Sequence, residues 1–525
     1  MARGKAKPKE QKPIEQTLWD AANKLRGKVE PPEYKHVVLS LIFLKYANDR
    51  FNKHREQMIA NGQQAFLEMM PFYTKDNVFY IPECARWAFI MDNAKQPDIA
   101  IKIDTALHEI ETKNPTLEGA LPDNYYSRLH MDPGALASLL DLINGLKLQV
   151  GGDRDVFGRV YEYCLLKFAI LEGRGKGEFY TPRSIVTLLC DLIEPYSGIV
   201  YDGACGSGGM FIQSMRFVDE HKGNRLNVSI YGQESLDTTR RLAKMNLAIR
   251  GISANLGAEA ADTFTKDQHK DLKVDFCLEN PPFNKKGWRE ANQLLDDPRW
   301  NGYVTPPASN ANYGWLLNTI SKLGQNGVGA VLLANGALSA DGDEYEIRRR
   351  MIENDLVEAI MVLPRDMFYI TDISVTVWIL NKNKKARVEK RPGGDVAFRD
   401  RTNEVLFMDL RQMGHPFEKK YIEFTEEDRA IIVDRFKSWR LEGYATPYED
   451  IPEFCYAAKK AEIVEKGYSL VPSRYIEFVN RDESIGYEEK MSQLQCELKE
   501  LFALERKSKQ ELQEVMKHLG YSIEN

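Results

Sequence analysis

Four residues, Asn280-Pro281-Pro282-Phe283, follow the apolar run Val274-Asp275-Phe276-Cys277-Leu278, and each suits a planar amino group. The prolines fix φ and leave carbonyl oxygens with no N–H competing beside them. Asn280 offers an amide oxygen, and Phe283 offers a face on which a flat ring can stack. An exocyclic amine held by two acceptors loses conjugation with its ring, so its lone pair becomes a nucleophile. Methyl transfer to adenine N6 demands that. Alone, the tetrapeptide also fits an ordinary turn after a strand.

Upstream, a strand expected over 199–202 runs into Gly203-Ala204-Cys205-Gly206-Ser207-Gly208-Gly209 and then a helix. Glycines here allow a tight turn and a close approach of ligand to main chain. Their spacing is not the dinucleotide G-x-G-x-x-G, and no Gly-Lys-Ser/Thr follows, so the loop is not built as a phosphate cradle. Glu234 ends the next strand, in Tyr231-Gly232-Gln233-Glu234, where a carboxylate can accept both hydroxyls of a ribose. Asp262, after a third strand, stands where an acidic group could receive the amino group of a bound adenine.

These residues need a scaffold that brings distant loops together. β-type runs at 199–202, 228–233, 255–258, 274–278, 328–334, 357–363 and 374–380 alternate with helical runs at 210–218, 236–250, 313–323 and 343–354. Such alternation predicts a doubly wound α/β sheet. The last strand follows the one before it with no helix between, which suggests a terminal antiparallel hairpin. Before the sheet, residues 13–150 read as a helical domain, with 34–51 a long apolar-faced run and a further helix at 155–171. Residues 1–12 read as a basic, disordered tail. At the other end, Met491, Leu494, Leu498, Leu501, Leu512, Val515 and Leu519 recur at three-four spacing, interrupted by Glu505 and Ser508. That is an amphipathic helix of coiled-coil character, suited to its own domain or to a partner helix.

Composition narrows the class. A chain of 525 residues, 43% hydrophobic and 28% charged, is expected to form two or three soluble domains. A net charge of −6 means that nucleic acid would be met by a local basic surface or through a partner. Seven scattered cysteines without a Cys-x-x-Cys pair read as reduced thiols of a cytoplasmic protein, not a metal or disulfide framework. Neither a membrane span nor a signal peptide is expected.

Glycine loop, acidic second strand and Asn-Pro-Pro-Phe after the fourth occur in the order seen in S-adenosylmethionine-dependent amino-methyltransferases. Over most of its length the chain resembles the modification (methyltransferase) subunit of type I DNA restriction–modification systems. The resemblance rests on Leu18-Trp19-Asp20-Ala21-Ala22-Asn23-Lys24-Leu25-Arg26-Gly27, on Gly177-Glu178-Phe179-Tyr180-Thr181-Pro182-Arg183, on the loop Asp202–209 and on the terminal helix. It implies an adenine-N6 methyltransferase with a Rossmann-like sheet, a helical N-terminal domain and a catalytic domain over 151–480. Residues 481–525 would be the partner-docking helix. Glu178, Phe179, Tyr180, Thr181, Pro182 and Arg183 would line the S-adenosylmethionine site, with Phe179, Tyr180 and Thr181 near its methionine end. Ser207, Gly208 and Gly209 would contact the cofactor, with Asp202 orienting the loop and Glu234 holding the ribose. Asn280 and the Pro281 carbonyl would bind the target amine, followed by Pro282, and Phe283 would stack on an adenine flipped from double-stranded DNA.

The implied partners are a specificity subunit and a second copy of this chain, with room for a restriction/translocase subunit and no membrane. The resemblance implies no metal. Two positions depart from it: Gly203, where relatives commonly carry Pro, and Glu279, a charge beside the motif with no evident role. Cytosine N4, RNA and protein glutamine remain alternative substrates, as does a non-catalytic scaffold.

Overall fold

The computed structural model describes residues 31–145, 161–165, 167, 181–368, 373–417, 421–479 and 487–518. The basic tail, the motif at 18–27, Glu178, Phe179, Tyr180 and Leu519 lie outside the described residues, as do most of 155–171. The chain divides into two compact units, one of residues 1–450 with 454–476, the other of 451–453 with 477–525.

The first unit begins with helices α1 (Pro31–Ala60), α2 (Ile99–Lys113) and α3 (Pro133–Asn144). Their apolar faces, including Leu41, Phe43, Ile103, Leu107, Leu136 and Leu140, bury one another in a common core. Asp132 caps α3 by accepting the Ala135 N–H at 2.9 Å, which satisfies a donor the helix cannot. Helices α4 (Arg183–Ile193), α5 (Gly209–Glu220), α6 (Asp237–Ile249), α7 (Asn312–Lys322), α8 (Asp343–Glu353) and α9 (Glu426–Arg440) accompany the sheet. The N-terminal helices share their core with Leu242, Met245 and Ile249 of α6, so helical region and sheet form one body. Arg241 and Lys244 of α6 tighten that junction by donating to the carbonyls of Leu121 and Glu118 at 2.7 and 2.9 Å.

The strands are β1 (Gly198–Asp202), β2 (Val228–Gly232), β3 (Ala254–Asn255), β4 (Val274–Glu279), β5 (Leu323–Ala334), β6 (Val357–Val362), β7 (Val375–Asn381), β8 (Arg387–Arg391), β9 (Gly394–Phe398), β10 (Glu404–Asp409), β11 (His415–Phe417), β12 (Tyr421–Glu423) and β13 (Cys455–Lys459). Nine of them form the central sheet in the order β13-β10-β6-β7-β5-β4-β1-β2-β3. β1, β2, β3, β4 and β5 run parallel, and the chain reverses its direction of travel across the sheet between β1 and β4. Ligands of doubly wound sheets lie beyond the strand ends at such a reversal. The predicted α/β sheet with a helical N-terminal region is the observed architecture.

Two expectations change. The hairpin of β6 and β7 is antiparallel but not terminal: β7 is inserted between β5 and β6, and β10 continues the sheet beyond β6. The run at 255–258 yields only Ala254–Asn255, because Asn255 Oδ1 accepts the Gly257 N–H at 3.0 Å and turns the chain, with Gly257 at φ +73°. Beyond residue 380, β13 closes the sheet edge and two small antiparallel pairs, β8–β9 and β11–β12, stand apart from it.

The second unit contains helix α10 (Tyr487–His518), 32 residues long. Among the described residues no helix is long and apolar enough to cross a membrane, and no cluster of His, Cys, Asp and Glu could hold a metal ion. All seven cysteines are free.

Candidate active site

Asn280 is the residue after β4, and its side chain is 7% exposed. Its Nδ2 donates to Thr181 Oγ1 at 2.8 Å, which fixes the orientation of the amide. Its Oδ1 is buried and accepts no hydrogen bond among the described residues. Buried acceptors are normally satisfied, so a free amide oxygen in a fixed direction is a receptor for an N–H. Thr181, 99 residues away in sequence, is thereby brought beside the motif that it orients.

The turn after Asn280 is held from below. Asn284, at φ +53°, exchanges two hydrogen bonds with Asn312 of α7, N–H to Oδ1 at 3.0 Å and Nδ2 to Oδ1 at 2.8 Å. Pro281 is buried, whereas Pro282 and Phe283 are half-buried. The Phe283 ring meets Phe368 edge-to-face, with centroids 5.8 Å apart at 81°. Such a pair holds one face of the ring in place by quadrupole complementarity.

Beyond β1 the glycine loop turns through two left-handed residues, Gly206 at φ +53° and Gly208 at φ +80°. Gly208 is the N-cap of α5. Among the described residues nothing lies within 4 Å of where a Cβ would sit on Gly206 or Gly209, so the loop presents bare backbone to open space. The loop is braced by Asp202, whose Oδ1 accepts the Ala204 N–H at 2.9 Å, and by Asn246 of α6, whose Nδ2 donates to the Ser207 carbonyl at 2.8 Å. Glu234 leans over it: Oε2 accepts the Gly206 N–H at 3.1 Å and Oε1 the Leu236 N–H at 2.9 Å. Burial pushes the Asp202 carboxyl well up, and the neighbouring Glu279 adds to the shift.

Asp262 is less open to a ligand than the sequence suggests. Its Oδ1 accepts the backbone N–H groups of Phe264 and Thr265 at 3.0 and 3.1 Å, and its Oδ2 faces Lys285 Nζ at 3.3 Å. Pro182 is buried at the start of α4, and Arg183 is exposed. Thus Thr181 and Asn280 are in contact, as are Gly203 with Glu279 and Gly206 with Glu234, whereas Asp262 pairs with its own loop. Thr263, Asn246, Asn312, Thr319 and Phe368 escaped sequence reasoning, since polar and aromatic residues spaced tens of positions apart carry no local signal of contact.

Bare backbone glycines beside the carboxylate of Glu234 suit a ligand with hydroxyls and positive charge. Coulomb repulsion makes the same carboxylate a poor host for phosphate. S-adenosylmethionine, with ribose hydroxyls, a sulfonium and an ammonium group, has the chemistry these residues accept.

Residues 152–484 match the family model described as N-6 DNA Methylase, and residues 14–144 match the HsdM N-terminal domain. The type I restriction enzyme HindI methylase subunit of Haemophilus influenzae is 40% identical, covering 84% of this chain and 100% of its own length. The MjaIX methylase subunit of Methanocaldococcus jannaschii is 35% identical, covering 97% of this chain and 92% of its own. In fold, the chain is similar to a crystal structure of a type I restriction–modification methyltransferase subunit from Streptococcus thermophilus. That similarity has a TM-score of 0.71 at 24% identity, over 88% of this chain and 99% of that one.

Proposed function

Starting from a chain that belongs to the N-6 DNA methylase family and is a methylase subunit of the type I restriction–modification class, we propose that Asn280 receives adenine N6 for methylation. The observation that carries this is the buried Asn280 Oδ1, without a hydrogen-bond partner among the described residues and with its amide orientation fixed by Thr181. An amide oxygen in that state, next to the Pro281 carbonyl, draws an exocyclic amine out of conjugation and leaves its lone pair free. Phe283, backed by Phe368, offers a stacking face to the base once it leaves the duplex.

Bound S-adenosylmethionine supplies the activated methyl group, so the protein contributes positioning and polarisation instead of covalent catalysis. Glu234 would hold the ribose hydroxyls, and Ser207, Gly208 and Gly209 would provide contacts from the loop. Glu178, Phe179, Tyr180, Thr181, Pro182 and Arg183 would line the cofactor site, with Phe179, Tyr180 and Thr181 near its methionine end. Asp202 holds the loop's shape. Asp262 would reach the adenine amine of the cofactor by parting from Lys285.

The domain division follows the same reading: a helical domain over 13–150, a catalytic domain over 151–480 and a docking helix over 481–525. In α10, Met491, Leu494, Leu498, Leu501, Leu512 and Val515 are exposed apolar positions at helical spacing. They suit a helix of a specificity subunit, in a complex with a second copy of this chain. That subunit chooses the DNA site, and the modified host DNA is protected from a restriction partner.

Separating binding from transfer tests the assignment. Asn280→Ala should abolish methyl transfer while the Kd for S-adenosylmethionine stays within about threefold, because a lost receptor for the amine leaves the cofactor contacts intact. Glu234→Ala should weaken cofactor binding about 10- to 100-fold, the size expected for charge-assisted hydrogen bonds. Equal loss of cofactor binding in both variants would overturn the assignment.

A further inference from the structure

Glu279 and Gly203 stand at the ends of neighbouring parallel strands and take no part in the chemistry above. β1 and β4 pair with Tyr201 opposite Cys277, a register that brings Gly203 level with Glu279. Glu279 has no exposure at all. Its Oε1 accepts the Gly203 N–H at 3.2 Å, and its Oε2 accepts the Thr319 hydroxyl of α7 at 2.9 Å. The Gly203 carbonyl accepts the Thr263 hydroxyl at 2.5 Å. Gly203 is therefore gripped at both its polar groups.

The fit is close. A Cβ on Gly203 would lie 3.0 Å from Glu279 Oε1, 3.1 Å from Tyr201 Oη and 3.3 Å from Thr263 Cγ2. Burying a carboxyl is costly unless hydrogen bonds compensate it, and an apolar residue at the end of β4 would avoid the cost altogether. The donor that compensates one oxygen is a main-chain N–H that proline lacks. The two positions that depart from the type I resemblance thus meet in space, as a donor and its acceptor.

We propose that Glu279 is a positioning residue whose carboxyl ties the first residue of the cofactor loop to the strand that presents Asn280. Methyl donor and target amine are then held in one frame, because Asn280 is the next residue along. The proposal rests on reading 203–209 as the cofactor loop and Asn280 as the amine receptor. In-line transfer is sensitive to such coupling, since a misplacement of about 1 Å costs roughly 100-fold in rate. Gln at 279 would keep an acceptor for the Gly203 N–H and a polar group against Thr319, whereas Ala would strand both.

The test compares Glu279→Ala and Glu279→Gln in the full chain. In the cofactor-free protein, amide hydrogen exchange over residues 199–209 should quicken about tenfold or more with Ala and stay near wild type with Gln. With the specificity partner present, Ala should lower kcat about 10- to 100-fold with KM for DNA within about threefold, and Gln should recover most of it. Gly203→Pro should cost less in the Glu279→Ala background than in wild type, since the acceptor is already gone. Unaltered exchange with Ala, equal impairment by Gln and Ala, or additive effects of Gly203→Pro and Glu279→Ala would overturn the proposal. If Glu279→Ala does not fold, Thr319→Val releases one carboxyl oxygen and should quicken exchange in the same segment; no change would overturn it. Exchange needs no substrate, so failure of this tie and failure of the adenine assignment are separate results.

Discussion

Asn280 has one half of its amide committed inside the protein and the other half without a partner among the described residues, and the direction of that split is set by Thr181. Thr181→Val would remove the acceptor for Nδ2 and let the amide turn, so kcat should fall about tenfold, the order of one misplaced hydrogen bond in a transition state. Steady-state methylation with cofactor binding measured in parallel checks this. Glu279 adds a pH signature. Burial pushes its carboxyl up from 4.5 to about 7, against the hydrogen bonds from Thr319 and Gly203. A carboxyl raised on folding contributes stability that is complete below about pH 4.5 and is lost as pH rises through about 7. That loss amounts to about 3 kcal/mol at 1.4 kcal/mol per pKa unit. Glu279→Gln should therefore flatten the fall in denaturation midpoint between about pH 4.5 and 7 relative to wild type. The places of Asn280, Phe283, Glu234 and the loop glycines beyond strand ends were legible in sequence because each follows an apolar run. The role of Glu279 was not, because it lies wholly in partners from β1 and α7.

The elements place these groups by strand order. β1, β2 and β4 end side by side, which gathers the glycine loop, Glu234 and Asn280 from residues scattered over 202–283. Alternating apolar runs made that part of the sheet readable. The insertion of β7 between β5 and β6 was not, since pairing partners are a long-range choice that periodicity does not encode. β3 shrank for a local reason, the side-chain turn at Asn255, that competes with the strand. At this scale the left-handed N-cap of α5 is the sensitive point. Gly208→Ala at φ +80° should cost about 1–2 kcal/mol of stability by backbone strain and weaken cofactor binding by displacing the loop. Denaturant unfolding and calorimetric titration would measure the two effects. Asn312→Ala should loosen the turn that carries Phe283 and raise KM for DNA, with the cofactor Kd within about twofold of wild type.

Across the whole molecule, stability away from the site depends on a buried ion pair that sequence patterning does not announce. Glu358 on β6 pairs with Arg401 at 2.8 Å, both with fully buried side chains, and Arg440 of α9 stands 3.7 Å away. Burial raises the Glu358 carboxyl, but Arg440 and Arg401 outweigh it and hold it at about 2. Its contribution is present above about pH 4.5 and disappears as pH falls through about 2. Glu358→Ala should cost about 3–5 kcal/mol, because it leaves two guanidinium groups buried without their carboxylate. Removal of residues 481–525 should leave S-adenosylmethionine binding intact and abolish association with the specificity subunit, as seen by size-exclusion chromatography. If Asn280 is the receptor for adenine N6, its loss must silence methylation of DNA. The most direct measurement supplies labelled S-adenosylmethionine and unmodified duplex DNA to the chain with its specificity subunit, then digests the DNA to nucleosides. Label in N6-methyl-2′-deoxyadenosine with wild type and none with Asn280→Ala is the expected result. Label in N4-methylcytosine, or undiminished adenine label with Asn280→Ala, would contradict it.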